Sequence, residues 1–303
     1  QRKKMINILS KNKKIIFIFL VFFLSSIFSF GEKLLHSQSY TIEQTWSQEN
    51  NYDREYHVKV PSGEGPFPVL IILHGSGGQG QPMLRRFSKY ENYILIAPDG
   101  YDRQWNVSRQ RSKAPDVDFI KTIIDRIQHF INVDNKQITI IGMSNGSALL
   151  NRLMIELDLS YFQSAISVVS QLVDEQYHDG CFWYNPGGNN NYDKRIIPAK
   201  GRRLLTISGE NDPIIPYNGG KGVVGYTFLP AEKSAFIWAK VNGYSGKKLT
   251  VADSTAYKED PLCLIFNYVK ANVMHVKVLD HGHDASRAIG VRKLISGFIE
   301  KEF

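Results

Sequence analysis

The feature that most limits what this chain can fold into is a series of short, wholly apolar runs separated by helical patterns. Residues 69–73 read Val69-Leu70-Ile71-Ile72-Leu73, with no polar position at all. Residues 93–97, 137–141, 165–169 and 204–207 repeat the signature. A strand with no polar alternation is one whose two faces are both covered, as in the middle of a parallel sheet. Between these runs, Phe119, Ile120, Ile123, Ile124, Ile127 and Phe130 recur at three-to-four spacing after Pro115 and Asp116. Leu149, Leu150, Leu153, Met154 and Leu157 do the same, and residues 230–241 and 285–298 supply two more helices. Strands alternating with helices predict an α/β fold with a mostly parallel central sheet and helices on both faces. Residues 56–60 read as a further strand ended by Pro61, and residues 274–279 alternate more, which predicts a place nearer the sheet edge.

Two stretches interrupt this rhythm. Residues 181–201 open with Cys181-Phe182-Trp183-Tyr184 and pass through Gly187-Gly188-Asn189-Asn190-Asn191, and residues 217–226 are rich in glycine. Long loops at the carboxyl ends of strands build the binding crevice of such sheets, although a plain surface loop has the same composition.

Charge and the amino terminus must be read together. The chain of 303 residues carries +8. Arg2, Lys3, Lys4, Lys11, Lys13 and Lys14 precede Glu32 with no acid among them, so taking these six away leaves +2. The remainder has no basic excess, and a nucleic-acid partner has no support. The basic cluster is followed by an apolar or small stretch over residues 15–30, with Ser29 and Gly31 placed for cleavage after Gly31. This is the pattern of an export signal. At 16 residues the stretch falls short of the roughly 20 that a spanning helix needs, and an uncleaved anchor is the alternative and the one route to a membrane. The expected organisation is a signal or anchor over 1–31, a polar linker or lead-in strand over 32–52, and one catalytic domain over 53–303. The protein is then secreted or periplasmic. Cys181 and Cys263 form one disulfide or remain two buried thiols.

The chemistry is carried by Gly142-Met143-Ser144-Asn145-Gly146, which joins the run 138–141 to the helix bearing Leu149 and Leu153. A G-x-S-x-G between strand and helix forces a sharp turn that lifts the serine hydroxyl above the sheet. A serine hydroxyl needs a base, and the base needs an orienting acid. In strand-end order, Asp212 follows the run 204–207, with Glu210 as fallback. His283 follows the run 274–279, with His281 as runner-up. His74-Gly75-Ser76-Gly77-Gly78 follows the first buried strand, so the backbone amides of Ser76 and Asn145 are the expected oxyanion donors. Trp105, Trp183 and Tyr184 are candidates for the substrate wall.

These residues resemble secreted esterases related to polyhydroxybutyrate depolymerases and feruloyl esterases. Besides the glycine loop and the serine motif, the resemblance rests on Ala97-Pro98-Asp99-Gly100 with Trp105-Asn106, on Asp116-Val117-Asp118-Phe119-Ile120, and on the run from Gly209 to Tyr217. It implies the α/β-hydrolase fold, a Ser144–Asp212–His283 triad, an acyl-enzyme mechanism without cofactor or metal, and a feruloyl, acetyl-polysaccharide or hydroxyalkanoate ester as substrate, polymeric or small. The tryptophan–proline–glycine stretch that follows the family's histidine is replaced here by Asp284-Ala285-Ser286. A peptidase of the same fold and a non-catalytic binding protein are the rival readings. A metal site built on His281, His283 and Asp284 lacks a further histidine pair to complete it.

Overall fold

A computed structural model describes residues 31–34, 38–186 and 191–301. The expected signal or anchor over 1–31 lies outside them except for Gly31, and the residues from Leu34 onward form one unit. Ten strands build the central sheet: β1 (Ser39–Trp46), β2 (Glu49–Lys59), β3 (Phe67–Leu73), β4 (Ile94–Pro98), β5 (Val133–Met143), β6 (Ser164–Val168), β7 (Arg203–Gly209), β8 (Thr255–Tyr257), β9 (Asp260–Tyr268) and β10 (Val273–Val278). Their order across the sheet is β1-β2-β4-β3-β5-β6-β7-β10-β9-β8. The six strands from β4 to β10 run parallel, and an antiparallel pair closes each side.

The apolar runs take both faces of this sheet. Val69, Ile71 and Leu73 of β3 face one core, together with α2 (Asp116–Ile127), α3 (Asn145–Glu156) and α4 (Ala231–Val241). Leu70 and Ile72 face the other, against α1 (Gly80–Arg86) and α5 (Ile289–Ile299). Every residue of β3 from Val69 onward is fully buried for that reason. This sheet between two helical layers is the α/β-hydrolase arrangement anticipated above.

Within 32–52, residues 39–46 form the edge strand β1, paired with β2, the lead-in strand being one of the two readings of that segment. Two expectations are corrected. The strand read at 274–279 is the third from its edge, because β9 and β8 continue the sheet beyond it. The last helix begins at Ile289, and residues 285–287 form a separate 3₁₀ turn. The thiols of Cys181 and Cys263 are not bridged.

A buried ion pair ties the first strands to the helical layer. Arg54 of β2 donates to Asp116 Oδ1 at 2.6 Å and to Gln44 Oε1 at 3.1 Å, and its guanidinium lies over the Phe119 ring. The other oxygen of Asp116 accepts from the Asn106 backbone amide at 2.6 Å. A second knot joins β1, β2, β4 and α1. His57 lies 2.8 Å from Ser39 Oγ and 3.1 Å from Asp99 Oδ2, while Asp99 Oδ1 accepts from the Gly80 amide. Glu55 completes a group of metal-ligating type with His57 and Asp99, but both ring nitrogens of His57 are already engaged.

Candidate active site

β5 runs into α3 through Ser144, whose φ of 51° and ψ of −114° lie outside the regions that ordinary residues favour. Such a conformation costs on the order of 1–3 kcal/mol and is kept where the surroundings enforce it. They do so here through the two glycines. A Cβ at Gly142 would stand 2.4 Å from the Gly146 carbonyl oxygen, and one at Gly146 would stand 2.4 Å from that of Leu73. Strand, turn and helix are in backbone contact, so only glycine fits at either place. The Ser144 amide donates to the Val168 carbonyl at 2.9 Å, fixing the turn against β6.

The strand ends bring the other predicted groups to this turn. His283 Nε2 lies 2.8 Å from Ser144 Oγ, and its Nδ1 lies 2.8 Å from Asp212 Oδ2. A carboxylate can only accept, so Nδ1 carries the proton and Nε2 is left to accept from the serine hydroxyl. Asp212 is itself held by the backbone amides of Ile214 and Ile215, which donate to Oδ1 at 2.8 and 3.0 Å. Its carboxylate is 3% exposed, which shields the Asp212–His283 contact from water. The two runners-up point elsewhere. Glu210 pairs with Lys277 at 2.8 Å, and His281 lies 3.6 Å from Asp284.

The glycine loop touches the nucleophile, since a Cβ at Gly75 would stand 3.6 Å from Ser144 Cβ. His74 holds that loop down. Its Nε2 accepts from the Gly100 amide at 3.0 Å, and its Nδ1 donates to the Gly75 carbonyl at 2.7 Å. Burial lowers the His74 pKa, consistent with this neutral role. Ser76 Oγ accepts from Gln104 Nε2 at 2.6 Å. Asn145 opens α3, where the first backbone amides have no partner within the helix and lie at its positive end. Its side chain grips the opposite loop, accepting from the Trp105 amide at 2.6 Å and donating to the Trp105 carbonyl at 3.2 Å. Ser76, Ser144 and Asn145 all face one cleft of about 770 Å³.

The cleft walls differ from the expected ones. Trp105 lines it but is 1% exposed, and its indole donates to the His74 carbonyl, so it is chiefly a brace. Trp183 and Tyr184 are not on the cleft. Trp183 stacks on His178 in a three-stranded ribbon (Tyr177–His178, Cys181–Tyr184 and Lys194–Ile196), and Tyr184 borders a separate depression near Arg152. Between the second and third of these strands, Tyr192 donates its hydroxyl to the carbonyl of Val107, a residue that lines the cleft. The apolar walls come from Tyr101, Ile215, Val224, Tyr226 and Phe228. Val224 and Tyr226 belong to the glycine-rich stretch and Phe228 follows it, in a small hairpin that pairs Gly220–Lys221 with Thr227–Phe228. Its glycines marked it in the sequence, and its aromatic residues were the signal left unused. Ser170, two residues past β6, also lines the cleft. Its hydroxyl is buried and has no hydrogen-bond partner among the described residues.

No protein-family profile matches the chain. Among curated proteins it is similar to feruloyl esterase B of Piromyces equi, at 27% identity over 213 residues, or 64% of this chain and 36% of that protein. It is also similar to a probable feruloyl esterase C of Aspergillus niger, at 28% identity over 180 residues, or 55% of this chain and 58% of that protein. The chain thus spans less than two thirds of the length of these relatives. Among solved structures it resembles the acetyl xylan esterase of Aspergillus awamori with a TM-score of 0.56 and 16% identity, covering 86% of this chain and 99% of that one. The chain therefore has the α/β-hydrolase fold, with sequence similarity to feruloyl esterases along part of its length.

Proposed function

We propose that this chain is an exported serine carboxylic-ester hydrolase with a Ser144–His283–Asp212 triad. The observation that carries the reading is the relay of two 2.8 Å contacts from Ser144 Oγ through His283 to Asp212, on a turn too tight for any residue but glycine at its flanks.

In the first step Ser144 Oγ attacks the ester carbonyl carbon as its proton passes to His283 Nε2. Asp212 keeps the imidazole oriented and stabilises its charged form. The backbone amides of Asn145 and Ser76 hold the oxyanion, and removing one such donor typically costs about 10²–10³ in rate. Collapse of the tetrahedral adduct breaks the bond to the leaving alcohol, which takes the proton from His283. Water then attacks the acyl-enzyme by the same route and releases the acid and free Ser144. The steps require no cofactor or metal.

Two observations favour an aromatic acyl group of the feruloyl kind. The curated relatives reported above are named feruloyl esterases. The cleft is large for a two-carbon acyl group, and its walls carry Tyr101, Tyr226 and Phe228, against which a flat ring packs. Export completes the proposal. Among the described residues no helix is long and apolar enough to cross a membrane. Amino-terminal sequencing of the exported protein tests this: a mature terminus at Glu32 would support cleavage, and a retained leader would make the chain membrane-anchored.

The test is hydrolysis of methyl ferulate, p-nitrophenyl acetate and a hydroxybutyrate oligomer by the parent and by Ser144→Ala, His283→Ala and Asp212→Asn. Preference for methyl ferulate, lost in all three variants, supports the full reading. Preference for either other ester changes the substrate class while keeping the hydrolase. A folded parent inactive on every ester makes the chain a binding protein.

A further inference from the structure

Away from the catalytic cleft, α4 and the ribbon enclose a second concavity of about 900 Å³. On α4 its wall is one stripe of the helix, Lys233, Phe236, Ile237, Lys240 and Val241, spaced at three and four residues. Phe236 and Ile237 form the middle of that stripe and a lysine stands one turn away on either side. The two lysines are about 10 Å apart along the axis. The ribbon supplies the facing wall with Phe182, Ile196 and Ile197, and it adds Arg195 and Lys200 to the rim. Ile197 is 89% exposed.

The composition of this concavity is selective. Its lining has four cations and no carboxylate. None of the four forms an ion pair with another described residue. Arg195 lies over the Trp183 ring, and neighbouring Glu232 is turned away toward Lys248 and Tyr217. Apart from the Tyr177 hydroxyl and the Cys181 thiol, the uncharged lining side chains are all hydrocarbon. A sugar chain, which needs many neutral donors and acceptors, has little to bind there. The volume falls within the range of about 300–1,000 Å³ typical of small-ligand pockets.

We propose that this groove is a binding site, separate from the catalytic cleft, for a small amphiphilic carboxylic acid. Its apolar body lies on Phe182, Phe236 and Ile237, and its carboxylate meets the cationic rim. Charge selects the anion because neutral and cationic amphiphiles leave the rim uncompensated, whereas one carboxylate gains charge-assisted hydrogen bonds from a lysine or from Arg195.

The test uses the full chain with Ser144 capped by a phosphonate, which keeps the catalytic cleft occupied. Calorimetric titration compares 4-phenylbutyrate with 4-phenyl-1-butanol, its neutral counterpart, in the parent and in Lys233→Glu/Lys240→Glu. Both lysines are exposed, so the variant keeps its fold, and near-UV circular dichroism checks this. The expected result is saturable 1:1 binding of the acid that is about tenfold or more tighter than that of the alcohol, a difference of about 1.4 kcal/mol. The double variant should lose that advantage. Equal binding of acid and alcohol, undiminished binding by the double variant, or no binding at all to the capped chain would overturn the proposal. Binding of polygalacturonate in preference to phenylbutyrate would assign the groove to an acidic polymer and equally overturn it.

Discussion

Replacing Arg54 by methionine tests how the fold holds the cleft. Arg54 and Asp116 are each about 1% exposed, and their contact is 2.6 Å. Methionine has a similar reach and keeps apolar packing on Phe119, so the main loss is electrostatic. It leaves the Asp116 carboxylate buried without its cation, still accepting from the Asn106 amide. Breaking a buried pair in this one-sided way costs about 3–5 kcal/mol. At roughly 2–4 °C per kcal/mol for chains of this size, the midpoint of thermal unfolding falls by about 6–20 °C. The partner substitution separates charge from packing. Asp116→Asn removes the stranded charge and keeps an oxygen for the Asn106 amide, so R54M/D116N should be more stable than R54M. Its loss should be about 1–2 kcal/mol, that of imperfectly matched hydrogen bonds. Urea unfolding followed by circular dichroism measures all three proteins. A cost below about 1 kcal/mol for R54M, or no recovery in R54M/D116N, would refute the reasoning that the carboxylate depends on its cation. Activity should fall in step, because Asn106 adjoins Trp105, whose backbone both accepts from and donates to the Asn145 side chain.

Other outcomes are equally specific. Gly146→Ala should abolish ester hydrolysis and lower stability, since its methyl would stand 2.4 Å from the Leu73 carbonyl; wild-type turnover in that variant would contradict the close approach. The Asp99 hydrogen bond raises the His57 pKa against the opposing effect of burial. The stabilisation from this pair is thus fully present below the unfolded value of about 6.5 and is lost as pH rises through the higher folded value. The stability gap between parent and His57→Gln should accordingly narrow as pH rises above about 6.5, and a gap that widens would reverse the assignment. Phe228→Ala should raise KM for methyl ferulate more than for p-nitrophenyl acetate; an equal effect on both would remove Phe228 from the acyl wall. Burial pushes the Cys263 thiol up to about 12, while Cys181 is partly exposed. One thiol should then react readily with Ellman's reagent and the second only on unfolding; two fast thiols would be inconsistent with the burial of Cys263.

What could be read in advance depended on how local each cause was. The parallel strands were legible because burial on both faces leaves no polar position, as in Val69 through Leu73. Of the antiparallel strands, the end of β2 was legible at 56–60, but β8 and β9 were not. β9 is buried only at Cys263, Phe266 and Tyr268, and Pro261 near its start resembles a break. α1 is seven residues long, too short for a helical period to register. At the candidate site, the serine turn and Asp212 followed from strand-end order. The choice between His281 and His283 did not, because both flank Gly282, and only the chain direction after β10 separates them. The cleft walls were hardest, since Tyr101, Ile215 and Phe228 meet from distant parts of the chain. Trp183 and Tyr184 were aromatic residues in a long loop, and their ribbon packs on the helical layer, with Phe182 against Trp238.

The central claim is that Ser144 is an activated nucleophile. Intact-protein mass spectrometry after treatment with a fluorophosphonate tests it most directly. The account predicts one adduct, mapped to Ser144, that appears together with loss of ester hydrolysis and is absent from both Ser144→Ala and His283→Ala. An adduct on another residue, or equal labelling of the parent and Ser144→Ala, would contradict it.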